Sequence, residues 1–409
     1  MTWLVVAGGL LLLVFLHELG HFSVALLVGV RPRSFYVGFP PAIFKVQRKG
    51  IEYGLGAIPL GGMVRIPGMN RPAGRDVETL MHGAVSEDAA LLPFVQRVRH
   101  ALDAEDFEGA RSVLPELRAE IERAQLSASA RRSAKRALRD LDEGTGVDAY
   151  WRQATWRRIA IIAAGPAANV LVAFIIFFAV FTTGAPSSVP TTQVGQVESN
   201  TPAAAAGLRE GDRVIAVNGH AAATFAAVSK LIRASHGTPI TVTVRRAGQT
   251  VKLGPRKTIQ SGKRWIWGFV PTAKLVSYPI GTSVGKAVHQ CWEVVTATGT
   301  GLVGIFHSSS DRAQISGPVG IVRTSQQALK IGFSWYLELL GLISMSLALL
   351  NLLPLLPLDG GHILFSLIEA VRRRALAREV YERVSMAGIA LILVLMYIAL
   401  NNDFTHKSG

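Results

Sequence analysis

Residues 4–30 read LVVAGGLLLLVFLHELGHFSVALLVGV, an apolar run interrupted by His17, Glu18, His21 and Ser23. A membrane helix needs roughly 20 predominantly apolar residues, so 1–30 is long enough to span a bilayer. A cleaved secretory leader would carry a basic start, an apolar core of about 7–15 residues and a small-residue cleavage site, and this segment shows none of them. Each ionisable side chain at the centre of a span costs roughly 2.5–3.5 kcal/mol on insertion scales, so three together imply a site or a polar cavity. On a helix His17 and His21 stand one turn apart on the same face, where two imidazoles reach one divalent ion. Glu18 points to the neighbouring direction, toward a water on that ion. The HExxH string is only moderately specific by itself, because His and Glu pairs on soluble helices are often simply solvated; its place in an apolar span gives it weight.

Outward from this helix, 49% hydrophobic and 17% charged residues over 409 positions point to a membrane protein rather than to soluble domains. Further spans are expected at 157–184, 333–361 and 384–401. The net charge of +15 does not argue for nucleic acid, because Lys and Arg gather beside the spans instead of forming one stripe with interleaved aromatics. They follow the first span (Arg31, Arg33, Lys45, Arg48, Lys49), precede the second (Arg152, Arg157, Arg158) and lie between the third and fourth (Arg372, Arg373, Arg374, Arg378, Arg383). By the positive-inside rule these loops are cytoplasmic. Residues 184–200 hold no Lys or Arg, which places that stretch, and with it both termini, outside the cytoplasm. Cys291 is the single cysteine, so a metal site must draw on His, Asp or Glu.

Between the spans the chain changes character several times. In 31–75 the stretch IEYGLGAIPLGGMVRI (51–66) alternates and is punctuated by glycine, which reads as a membrane-associated β-hairpin. The region 76–150 carries FEGARSVLPELRAEIERA and SARRSAKRALRDLDE at helical spacing, a cytoplasmic helical insert of two or three helices read as a solvated spacer. Short β-branched runs from 187 to 275, with one helix around Phe225–Ser235, make a small β-rich domain outside the cytoplasm. The segment 284–306 is an amphipathic or re-entrant helix, too polar at Thr296–Thr300 for a span.

Two histidines leave zinc short of ligands, since a catalytic site has three protein ligands and an open position. The third is sought in NLLPLLPLDGG (351–361), where Pro354 and Pro357 break the helix and Gly360 and Gly361 permit close backbone approach. Asp359 is the best candidate and His362 its rival, while the ordinary alternative for Asp359 is a helix N-cap. The first and third spans both run inward, which brings Asp359 to the depth of the two histidines.

HELGH (17–21), GLGAIPLGGMVRI (54–66), AAGPAAN (163–169), SGPVGI (316–321) and NLLPLLPLDGG together resemble the site-2 protease family of intramembrane zinc metalloproteases, in its bacterial regulator of sigma-E protease type. The likeness covers nearly the whole chain outside the insert. It implies a multi-pass α-helical membrane protein of about four transmembrane helices, with Zn²⁺ held by His17, His21 and Asp359, Glu18 as catalytic base and Asn351 positioning substrate. Asn169 and Gly165–Pro166 are then structural, shaping a helix contact. AGLREGDRVIAVNG (206–219) resembles a PDZ domain, which implies a gate favouring substrates already trimmed outside. The implied setting is the bacterial inner membrane, with single-span membrane proteins such as anti-sigma factors and signal-peptide remnants as substrates. One PDZ-like domain instead of two, and the insert, depart from the enterobacterial pattern. A catalytically silent scaffold acting through the PDZ-like domain and a metal transporter are the competing readings; the second lacks the paired repeats of spans that transporters show.

Overall fold

The structure is a computed structural model and describes residues 2–69, 71–261, 264–307, 316–376 and 378–405. Its helices, in chain order, are α1 (Thr2–Leu27), α2 (Gly74–Glu87), α3 (Leu92–Asp103), α4 (Phe107–Arg123), α5 (Ala128–Thr145), α6 (Thr155–Thr183), α7 (Pro202–Ala205), α8 (Phe225–Arg233), α9 (Ile280–His307), α10 (Pro318–Ile331), α11 (Phe333–Asn351), α12 (Asp359–Arg372) and α13 (Arg378–Thr405). The strands are β1 (Ser34–Arg48), β2 (Ile51–Arg65), β3 (Ala185–Val197), β4 (Arg213–Val217), β5 (His220–Ala221), β6 (Pro239–Arg246), β7 (Gln249–Lys257), β8 (Ile259–Ser261), β9 (Arg264–Ile266) and β10 (Phe269–Val276).

Among the described residues, α1, α6, α11 and Glu379–Thr405 of α13 are long and apolar enough to cross a membrane. Large apolar side chains stay exposed along them: Leu12 and Leu27 on α1, Leu171 and Ile175 on α6, Leu393 and Val394 on α13. Such bands are an association liability in water and ordinary in hydrocarbon. Helix α9 runs unbroken for 28 residues through Thr296, Thr298 and Thr300 and is not one of the four.

The chain divides into two compact units, residues 1–6, 173–294 and 318–343 in one and 7–172, 295–317 and 344–409 in the other. The first unit carries the sheet β10-β3-β4-β6-β7, with β5 beside β4. Ile240, Val242 and Val244 of β6 are wholly buried and share a core with Val228 and Ile232 of α8. Ala247 and Gly248, with φ of 47° and 84°, close the β6–β7 hairpin in the left-handed conformation that matches strand twist. Just before β4, Asp212 is 2% exposed and accepts bonds from two Arg246 nitrogens at 2.8 and 2.7 Å and from the Arg209 amide at 2.9 Å. Burial alone would raise its pKa; these bonds outweigh it and hold the carboxyl below the usual range.

In the second unit the hairpin expected inside 51–66 is corrected: Ile51–Arg65 is one strand, and its partner is Ser34–Arg48. The chain reverses at Lys49 and Gly50, with φ of 50° and 81°. Pro40 and Pro41 hide β1 from sequence reading, since proline cannot donate to a ladder, and the register lapses there between Phe39 and Ala42. Both strands fold over on themselves: 44–48 pairs with 51–55, whereas 34–37 lies between 52–55 and 62–65. The outer edges of this small sheet are therefore 44–48 and 62–65.

The expected two or three helices of the insert are likewise corrected to four, α2 to α5. The stretch before Phe107 adds α2 and α3, parted at Asp88, whose carboxylate accepts the Ala90 amide at 3.0 Å, while Asp106 and Ser127 cap α4 and α5 through the Gly109 amide at 2.8 Å and the Ala130 amide at 3.2 Å. Val77, Met81, Leu117 and Ile121 are wholly buried in a core of their own, so the insert is a packed bundle and not a solvated spacer. Arg65, the last residue of β2, pairs with Asp140 at 2.8 Å and Glu143 at 3.0 Å, and Arg33 with Asp148 at 3.1 Å, tying the bundle to the base of the sheet.

Candidate metal centre

The 3.6-residue repeat of α1 sets His17 and His21 side by side, their ring centroids 4.9 Å apart and their Nε2 atoms 3.3 Å apart. Asp359 opens α12 and brings Oδ2 to 3.3 Å from both Nε2 atoms. It does not cap the helix, because the N-cap of α12 is Leu358 and makes no side-chain bond. Among the described residues, His17, His21 and Asp359 are the group whose ligand atoms converge, within 4.8 Å of one another; His362, one turn further along α12, is outside it.

This donor set fits zinc. A tetrahedral ion with bonds of about 2.0–2.1 Å separates its ligands by roughly 3.3–3.4 Å. All three separations here are 3.3 Å, so the three atoms mark one face of such a tetrahedron and leave its fourth corner for water or substrate. Asp359 Oδ2 is buried without a well-aligned hydrogen bond, a costly state that a bound cation relieves.

The site is held by backbone brought unusually close. A Cβ on Gly20 would run into the Ala164 carbonyl of α6, and one on Gly165 into the His21 ring. That approach lets His21 Nδ1 donate to the Ile161 carbonyl at 2.9 Å, which leaves the Nε2 lone pair facing the cluster. Behind Asp359, Cβ atoms on Gly360 and Gly361 would strike the main chain of 352–356, and one on Gly388 of α13 the Leu356 carbonyl. The broken segment between α11 and α12 is thus clamped by three glycines.

Glu18 lies against Gly62 of β2, where any side chain would collide with its methylene. The sheet edge 62–65 therefore adjoins Glu18. Asn351 ends α11, half-buried, with no side-chain hydrogen bond among the described residues. Sequence reading assigned Asn169 to helix packing; the structure sets its side chain on His17, Nδ2 to Nδ1 at 3.2 Å. The available signal was spacing, since Ile161, Gly165 and Asn169 recur every four residues on one face of α6. Gly61-Gly62 inside a strand was a comparable sign of close approach.

Comparison with known proteins gives a family match along most of the chain. The model of peptidase family M50 matches residues 5–395. The zinc metalloprotease RasP of Geobacillus kaustophilus is 30% identical over 427 residues, covering 98% of this chain and 96% of that protein. The regulator of sigma-W protease RasP of Bacillus subtilis is 29% identical over 410 residues, covering 96% and 95%. With a matched family model running from the first apolar helix into the last, and with full-length similarity to both RasP proteins, the chain belongs to peptidase family M50.

Proposed function

We propose that this peptidase is a zinc-dependent endoprotease that cuts single-span membrane proteins within the bilayer. The observation that carries the reading is the triangle of His17, His21 and Asp359, every side 3.3 Å, built on an apolar helix. When bound, zinc supplies Lewis acidity to a peptide carbonyl and to the attacking water. Glu18, one residue from His17 and adjoining the cluster, accepts the water's proton at its carboxylate and passes it to the nitrogen of the departing amine. The scissile carbonyl has to leave its own helix first, and the sheet edge at 62–65 beside Glu18 supports capture of the unwound segment by strand addition, through main-chain bonds with little sequence preference. Asn351 is assigned to positioning that segment.

The β-rich domain at 187–275 is read as a PDZ-like gate outside the cytoplasm that rejects substrates whose outer portion is still bulky. Its α8 and β10 flank a groove of about 140 Å³ lined by Phe225, Ile232, Trp265 and Phe269. The basic loops support an orientation in the inner membrane with the insert inside and both termini outside. Anti-sigma factors and signal-peptide remnants are the substrate classes, in keeping with the sigma-W regulator named among the relatives. The deciding experiment is cleavage of a single-span test substrate by wild type and by Glu18→Gln in the same detergent. Hydrolysis is expected from the first alone; cleavage by neither would return the protein to the scaffold reading, and equal cleavage by both would remove Glu18 from the role assigned here.

A further inference from the structure

We infer that Asn169 is the positioning residue of the metal ligand His17, an inference that rests on the zinc reading above. Asn169 is 0% exposed, in the middle of α6, and its side chain meets His17 at Nδ1. An imidazole can give Nε2 to a metal only if its remaining proton is on Nδ1, and a protonated Nδ1 needs an acceptor. His21 meets this condition through the Ile161 carbonyl. For His17 the corresponding group is Asn169, whose Oδ1 is buried with no hydrogen-bond partner. A half turn of the amide occupies the same volume and exchanges its two ends, so that Oδ1 accepts from Nδ1–H. In the metal-free protein the other orientation serves: Nδ2 donates to Nδ1, and Nε2 carries the proton toward Asp359 Oδ2, 3.3 Å away. One amide, donor at one end and acceptor at the other, satisfies His17 in both states.

The position of Asn169 is itself fixed. Its carbonyl accepts the hydroxyl of Ser344 on α11 at 2.9 Å, and Ser344 is 0% exposed. Successive four-residue steps along one face of α6 thus provide an acceptor for His21, room for its ring at Gly165, and a partner for His17.

The test compares full-length wild type, Asn169→Asp and Asn169→Leu for zinc affinity by competition with a chromophoric chelator, and for the absorption of the cobalt-loaded proteins. Loss of an outer-shell partner typically lowers metal affinity 10- to 100-fold, and that loss is expected for Asn169→Leu. Asn169→Asp keeps an acceptor of the same shape and should stay within about threefold of wild type, with a displaced cobalt d–d envelope because the anionic acceptor makes His17 a stronger donor. Wild-type affinity in the leucine variant would overturn the inference, as would equal losses in both variants, which would mark packing alone. Should the leucine variant fail to fold, the aspartate variant decides: a cobalt spectrum identical to wild type overturns the inference. Wild type that binds neither metal would instead remove the zinc reading itself, a result distinct from any variant effect.

Discussion

Glu18 touches a glycine because no other residue leaves it room. Placing a Cβ on Gly62 forces the carboxylate off its line, and displacements near 1 Å at a reacting group cost up to about a hundredfold. Gly62→Ala is expected to lower kcat roughly tenfold to a hundredfold with zinc content unchanged, checked by single-turnover cleavage beside metal analysis. Asp359→Ala removes one of the three proposed ligands and leaves two imidazoles, so metal content of the purified protein should fall and hydrolysis with it; full occupancy in that variant would contradict the ligand set. At this scale much was legible. His17 and His21 declare themselves by a four-residue step in an apolar run, whereas nothing local separates Asp359 from a helix cap or from its rival His362. That choice became visible only when the broken segment after α11 was folded back onto α1. Asn169 was named for packing because a lone Asn in a span shows its residue type and not the atom it faces.

At the scale of elements, the ladder of β1 is interrupted by two prolines and so escapes a reading of the sequence, and the break between α2 and α3 rests on Asp88, which looks like an ordinary surface residue until its side chain is seen on the Ala90 amide. The bundle of α2 to α5 has its own core, so Ile121→Ala, at a fully buried position, should cost about 2–5 kcal/mol there. Limited proteolysis should then cut preferentially within 74–145, and an unchanged digestion pattern would refute the independent core. In the β-rich domain, Asp212 has its pKa depressed on folding, so the Arg246 pair stabilises fully above the unfolded value of about 3.9 and fades as pH falls through the lower folded value. Asp212→Asn should cost about 1–3 kcal/mol at pH 7, with the gap to wild type closing toward pH 2; urea midpoints followed by tryptophan emission across that range would show it.

For the whole molecule, the four apolar helices among the described residues and the distribution of arginine support the orientation proposed above. With Cys291 first replaced by alanine, an impermeant thiol reagent applied to intact cells should label Thr250→Cys and spare Ser112→Cys; the reverse pattern would invert the topology. On the proposed gate role, removing 187–275 should speed cleavage of a substrate that keeps its bulky outer portion, and an unchanged rate would refute that role. The histidines sit at positions 17 and 21 and the carboxylate at 359, and this long separation along the chain orders events during synthesis. A ribosome delivers the two imidazoles long before the aspartate, so a nascent chain that has not reached residue 359 lacks the third member of the cluster. On the zinc reading proposed above, the site becomes competent only after three of the apolar helices described here have been made.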